Sequence, residues 1–207
     1  MNWHLFTAFL LITVVLMLIP GPIVTLVITT SVSKGIRAGL VTVMGTSCGT
    51  AVMLAVIALG LSWILNHALS WFEMLRWGGA VYLIWLGIQA WRGAGGGARL
   101  PPKDRTRDRI YFWRGFAVAL SNPKTIAFFT AFLPQFVDPN LAAAPQLAAM
   151  CAVSVLLAML SDSSWAILAA LGRTWFMKPA RAKLLARLSG LTLIGGGIWL
   201  SLARRPV

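Results

Sequence analysis

The chain has 207 residues, of which 58% are hydrophobic and 11% charged, and a formal net charge of +13. Apolar runs recur from end to end and carry more surface than one soluble core can hide, so a water-soluble globular domain is excluded and a bilayer is the expected solvent. The basic residues lie in short loops beside those runs and build no basic-aromatic surface, which excludes nucleic acid as a partner and fits the positive-inside rule instead.

Six spans are expected, making an all-α integral membrane protein. The first runs from Leu5 to Ser33 and the second from Leu40 to Asn66, both without a charged residue and both longer than the roughly 20 residues that cross a bilayer. The chain begins Met1-Asn2-Trp3-His4, without a basic segment ahead of the first run, and that run is far longer than a signal-peptide core, so it is expected to be retained. A third span covers Phe72 to Trp91, with Glu73 and Arg76 placed to pair across one helical face at the interface. The fourth runs from Gly115 to Val137 around Lys124, the fifth from Leu141 to Leu171 around Asp162, and the sixth from Leu188 to Ala203.

With six spans, Lys34, Arg37, Arg92, Arg114, Arg173 and Arg187 share one side with the other loop cations, while Arg76, Arg204 and Arg205 fall on the opposite side. Both termini are then outside and three basic loops are cytoplasmic. Five spans with the N-terminus inside would sort the charges almost as well, and charge alone does not decide between the two.

Residues 93–110 are rich in glycine, proline and charge and form the expected cytoplasmic linker between residues 1–92 and residues 111–207. Three spans on each side place the second half upside down relative to the first, the layout of two inverted three-helix repeats. Cys48 and Cys151 fall inside spans and support neither a disulfide framework nor a metal site, and no cofactor is expected.

The two halves share one irregularity. Pro20-Gly21-Pro22 and Asn122-Pro123-Lys124 interrupt their apolar runs at corresponding places. Helix-breaking residues at membrane depth are tolerated where they line a cavity or are packed in protein, so a matched pair marks a candidate site. Each reads as a helix start, a capping residue followed by proline where its missing N–H costs nothing. Free amides at Val24 and Thr25, or at Thr125 and Ile126, are expected to attract an anion, and carbonyls freed around Leu18 and Ser121 a cation. A substrate carboxylate would then meet Lys124 and the helix starts at Ile23 and Thr125, and its ammonium the freed carbonyls.

Lys124 lies ten residues beyond Arg114, Asp162 eleven before Arg173, and Pro22 twelve before Lys34. Along helices these separations amount to roughly 15 to 18 Å, the depth of the midplane. Lys124 in the first turn of a helix opposes that helix's dipole and needs an anion nearby; Asp162, able to neutralise, is the candidate proton carrier. Simpler readings stay open: Lys124 snorkelling to an interface, Asp162 with Ser163 and Ser164 capping a helix end, and Pro20 and Pro22 forming a packing kink. Gly45 and Gly49 make a GxxxG step and are read as close helix packing, and Gly195-Gly196-Gly197 in the last span as tight packing or a flexible point.

Those residues also carry a family resemblance. Pro20-Gly21-Pro22, the stretch Ser33-Lys34-Gly35-Ile36-Arg37-Ala38-Gly39-Leu40, then Trp113-Arg114-Gly115-Phe116 leading to Leu120-Ser121-Asn122-Pro123-Lys124, and Phe132-Leu133-Pro134-Gln135-Phe136 together resemble the LysE/RhtB family of amino-acid exporters over almost the whole length. The resemblance implies a multi-pass protein of the bacterial inner membrane that exports amino acids or close derivatives, driven by the proton gradient. It does not select the amino acid, and homo-oligomerisation is left open.

An exporter of a cation or other small solute on the same scaffold is the alternative. It would want several intramembrane carboxylates, thiols or imidazoles, and apart from Glu73 at the interface Asp162 is the only acid in a span. An enzyme is not expected, because no His-Glu-x-x-His or Gly-x-Ser-x-Gly pattern is present and neither His4 nor His67 has a partner in sequence.

Overall fold

A computed structural model describes residues 2–18, 20–67, 70–92, 108–176 and 178–202. These are helical throughout, with no strand among the described residues: α1 (Trp3–Leu18), α2 (Pro22–Lys34), α3 (Ile36–His67), α4 (Ser70–Arg92), α5 (Asp108–Leu120), α6 (Pro123–Phe132) continued by a 3-10 turn (Leu133–Phe136), α7 (Ala143–Leu171), the short α8 (Arg173–Phe176) and α9 (Pro179–Leu202). Most of the expected linker, residues 93–107, and the side chains of Glu73 and Arg76 lie outside the described set.

The bundle is turned inside out relative to a soluble one. On α7, Leu156, Leu160 and Leu171 are largely exposed while Ser154 and Asp162 are buried, and on α3 Val56 and Leu59 face out while Thr42, Thr46 and Thr50 face in. In water that arrangement would forfeit the hydrophobic term; in lipid it costs nothing, and the polar groups gain partners inside.

By length and apolarity, α3, α7 and α9 each suffice to cross a membrane, and the bent pairs α1–α2 and α5–α6 each make one more candidate span. The expected first, second, fourth, fifth and sixth spans correspond to these, although α5 begins at Asp108 and α9 at Pro179, well ahead of their apolar parts. The third is a helix of 23 residues that falls below the same measure of apolarity.

Glycine sets the helix packing. A Cβ built on Gly45 would overlap the Phe112 carbonyl, one on Gly49 would come within 2.5 Å of the Phe116 carbonyl, and one on Gly115 would overlap the Thr42 carbonyl, so α3 and α5 touch backbone to backbone. The pair α4 and α9 meets the same way through Gly87, Gly190 and Gly197. In lipid, such close approach supplies the dispersion contacts that hold helices together. Gly35 has a different reason: its φ of +91°, the only positive value among the described residues, lets α2 turn directly into α3.

The described basic loops gather at one end of the bundle. Arg37 pairs with Asp108 at 2.7 Å, joining the start of α3 to the start of α5, and the Arg187 guanidinium lies 5.4 Å from the Trp91 ring centre, joining α9 to the end of α4. The opposite end is tied by Asp138, which accepts from the Asn140 backbone N–H at 2.9 Å and from Asn2 Nδ2 at 3.1 Å. Those donors, the backbone one first, hold its carboxyl below the usual range.

Candidate functional site

The two breaks differ in chemistry and agree in shape. Between α1 and α2 the axis bends by 45°, and between α5 and α6 by 44°. Pro22 and Pro123 each open their helix at a position that needs no N–H. Asn122 caps α6 through its side chain: Oδ1 accepts from the Lys124 backbone N–H at 3.2 Å, while Nδ2 donates to Thr125 Oγ1 at 2.6 Å. Gly21 caps α2 without a side chain, in extended backbone at φ −122° and ψ −163° that any residue adopts.

Gly21 is therefore small for reasons of space. A Cβ there would lie 3.0 Å from Lys124 Cδ and 3.3 Å from its Nζ, so one break is packed directly against the side chain of the other. Lys124 is 7% exposed and donates from Nζ to the Leu16 carbonyl at 3.4 Å. Leu16 belongs to the last turn of α1, whose carbonyl end carries the negative pole of that helix. The ammonium opposes the dipole of its own helix and satisfies that of α1, a compensation of about 0.3 to 2 kcal/mol set against about 2.5 to 3.5 kcal/mol for a charge at the bilayer centre. The side chain is enclosed between the helices and is not extended to an interface.

Asp162 lies in the middle of α7, not at a helix end, so the capping reading fails; its Oδ2 accepts from Thr46 Oγ1 at 3.3 Å. The neighbouring Ser161 hydroxyl donates to the Met17 carbonyl at 3.0 Å, which fixes α7 against the same end of α1.

A cavity of about 60 Å³ lies where these parts meet, lined by Gly21, Ile23, Asn122, Lys124, Thr125 and Asp162 together with Leu16, Thr50 and Phe129. At roughly 10 to 15 Å³ per water-sized group it holds about four to six of them. Larger grooves of about 370 and 520 Å³ lie elsewhere, but their lining, such as Leu11, Val15 and Trp199 in one and Ala51, Ala148 and Cys151 in the other, has no charge to orient a polar molecule.

Of the residues singled out in sequence, Pro20, Pro22, Thr25 and Pro123 do not line the cavity. Pro22 and Pro123 open their helices, and Pro20 is buried ahead of Gly21. The expected donors at Thr25 and Ile126 require correction: the Thr25 N–H donates to the Gly21 carbonyl at 2.8 Å and the Ile126 N–H to the Asn122 carbonyl at 3.0 Å. These are the first intrahelical bonds, so the first-turn amides that precede them in each helix are at Ile23 and Val24 and at Thr125. Close to the Leu18 carbonyl expected to receive a substrate ammonium, the Leu16 carbonyl accepts from Lys124 and the Met17 carbonyl from Ser161. Gly45 and Gly49 are not among the residues that line the cavity and pack on α5.

Thr46 and Thr50 escaped the sequence reading. The signal was present in Thr42, Thr46 and Thr50, three hydroxyls at four-residue spacing on one face of an otherwise apolar span. Among the described residues no group of three or more His, Cys, Asp or Glu is placed to hold a metal ion.

A family model described as LysE type translocator matches residues 14–204. The chain is 32% identical to a homoserine/homoserine lactone efflux protein of Salmonella typhimurium over 99% of both chains. It is also 32% identical to a threonine efflux protein of Salmonella typhi, over 68% of this chain and 70% of that one. An uncharacterized membrane protein of Vibrio cholerae is 29% identical over 99% of this chain and 100% of its own length. No solved structure matches.

Proposed function

The chain belongs to the LysE-type translocator family, and from that premise we propose that it exports small amino acids or close derivatives across the bacterial inner membrane in exchange for protons. One observation carries the reading: a cation from one broken span and a carboxylate from an unbroken one line a single cavity, against the helix break of the other half. A zwitterion is the ligand that satisfies both charges at once.

In this reading the substrate carboxylate is received by Lys124 Nζ and by the first-turn amides at Ile23 and Thr125. The ammonium is received by Asp162, beside the hydroxyls of Thr46 and Thr50. Asp162 then has two mutually exclusive occupants, a proton or the substrate ammonium. Facing the cytoplasm it gives up its proton and takes the substrate; facing outward it takes a proton and releases the substrate. Exclusive occupancy of one carboxylate is sufficient to couple the two fluxes in opposite directions. A bare metal ion is a poor alternative cargo, since Lys124 would repel it.

The alternating-access frame is six spans, with α4 as the third, arranged as inverted halves at residues 1–92 and 111–207. Support comes from the near-equal bends and from some paired contacts: α3 with α5 corresponds to α7 with α1, α2 with α7 corresponds to α6 with α3, and α3–α7 and α4–α9 are self-matching, whereas α2–α3 and α4–α6 have no counterpart of like extent. Basic loops at one end favour both termini outside. The small cavity and the names of the Salmonella relatives, homoserine and threonine efflux proteins, favour short side chains.

The test is counterflow in proteoliposomes with a panel of amino acids, with and without a pH gradient. Accelerated exchange of a short-chain amino acid and stimulation by an opposing proton gradient are expected. Absence of counterflow for every amino acid, or export indifferent to the gradient, removes the corresponding part of the reading.

A further inference from the structure

One side chain stands in the wall of two cavities. Leu16, in the last turn of α1, lines the central cavity beside Lys124 and Asp162, and it also lines the apolar groove of about 370 Å³ formed by α1, α4, α6 and α9. No other residue of the central lining is shared with that groove. None is shared with the groove at Ala51 and Cys151 or with the one at Gly78 and Ser121. Leu16 is buried, in the same apolar cluster as Leu83, Phe128 and Phe129.

On the α9 side of the groove are Gly195 and Gly196. A Cβ built on either meets nothing within 4 Å, whereas one on Gly197 would come within 2.6 Å of Ile84 Cγ1. Of these three consecutive glycines only Gly197 packs on α4, and its two neighbours leave the groove open. The central cavity, about 60 Å³, has room for about four to six water-sized groups. The head of an amino acid, its nitrogen, Cα and carboxylate, takes up that room by itself, so each further side-chain atom presses on a wall. Phe129, a bulky wall of the cavity, is fully buried and lines none of the three grooves. Leu16 is the wall with open apolar space behind it.

We propose that the Leu16 side chain sets the side-chain length the exporter accepts, as the partition between the central cavity and the apolar groove. A short side chain needs only a small swing of Leu16 toward the groove. A longer apolar one needs the groove itself, and is refused while Leu16 fills the opening. The main-chain carbonyl of Leu16 holds Lys124 Nζ whatever side chain is attached, so truncation removes the partition and leaves that acceptor in place. One methylene in an apolar pocket is worth about tenfold or more in discrimination, enough to make a single leucine decisive. This assignment rests on the export reading and deepens it, naming both the substrate class, amino acids with short side chains, and the group that enforces it.

The experiment compares methionine with threonine in proteoliposome counterflow, as the ratio of their kcat/KM values. The wild type is expected to favour threonine, and Leu16→Ala to raise the methionine-to-threonine ratio at least about tenfold. Adding Gly196→Leu to Leu16→Ala fills the groove from α9 and is expected to return the ratio to within about threefold of wild type. Ile12→Ala, on the same helix and in the groove but outside the cavity lining, is expected to leave it within about twofold. Leu16→Val, the milder truncation, is expected to shift the ratio the same way by about threefold, and it decides the matter where Leu16→Ala does not purify folded. A wild type that exchanges methionine as well as threonine, an unchanged ratio in the Leu16 variants, an equal rise in Ile12→Ala, or a raised ratio that survives Gly196→Leu overturns the partition. Wild-type counterflow separates the two claims: if it is present and the ratios stay flat, only the role of Leu16 falls; if it is absent for every amino acid, the export reading falls and takes the partition with it.

Discussion

Gly21→Ala isolates the contact between the two halves. The backbone there, at φ −122° and ψ −163°, accepts alanine without strain, so the substitution acts through space alone. The new methyl would stand 3.0 Å from Lys124 Cδ and 3.3 Å from Nζ, where carbon contacts settle at about 3.5 to 4.0 Å. The lysine must therefore give by a few tenths of an ångström. Its Nζ is already 3.4 Å from the Leu16 carbonyl, so a retreat of that size breaks the bond and moves the ammonium off the cavity. A hydrogen bond to a charged group contributes about 1.5 to 3 kcal/mol, which at about 1.4 kcal/mol per tenfold raises KM by about 10- to 150-fold. The assay is the concentration dependence of counterflow in proteoliposomes. Gly60→Ala is the control, since nothing lies within 4 Å of that position, and it is expected to leave KM unchanged. A wild-type KM for Gly21→Ala would refute the claim that the break is glycine to make room for the lysine.

Other substitutions separate binding, coupling and packing. Lys124→Met is expected to abolish substrate counterflow while the protein still purifies as a folded species, with normal counterflow counting against any role in binding. Asp162→Asn should lose the stimulation of export by a pH gradient, and retention of that stimulation would remove Asp162 from proton transfer. Gly45→Val drives a branched side chain into the Phe112 carbonyl; overpacking of about 1 to 3 kcal/mol lowers Tm by about 2 to 12 °C for a chain of this size, measured in detergent. Asn122→Ala removes the α6 cap for about 1 kcal/mol, a Tm fall of about 2 to 4 °C, and an unchanged Tm would mean that the cap contributes nothing.

The breaks were legible because proline and glycine have one-residue consequences: Pro22 and Pro123 cannot continue a helix, and each opens one. Lys124 and Asp162 were legible because a charge in an apolar run needs company, and the two line one cavity. The company itself was not. The Leu16 carbonyl that receives Lys124 carries no signature in the residue type, since every residue has such a group and only the 45° bend aims this one. The first-turn amides were misplaced by one residue because the capping position decides which N–H is bonded first, and Thr25 already reaches Gly21. Thr46 was passed over because threonine in a span usually bonds its own helix, as Thr46 Oγ1 does to the Val43 carbonyl at 3.0 Å, and only the packing of α3 on α7 also brings it within 3.3 Å of Asp162. Gly45 and Gly49 pack on α5, and nothing in their spacing named that partner.

The most direct measurement asks whether one substrate molecule shields both breaks. Ile23→Cys and Thr125→Cys, in a background without Cys48 and Cys151, are reacted with a small membrane-permeant thiol reagent in proteoliposomes, with and without a saturating transported amino acid. One shared cavity predicts that the same substrate concentration half-protects both positions, and that Lys124→Met removes protection at both. Protection of only one position, or protection that survives Lys124→Met, would contradict a common site built from the two halves.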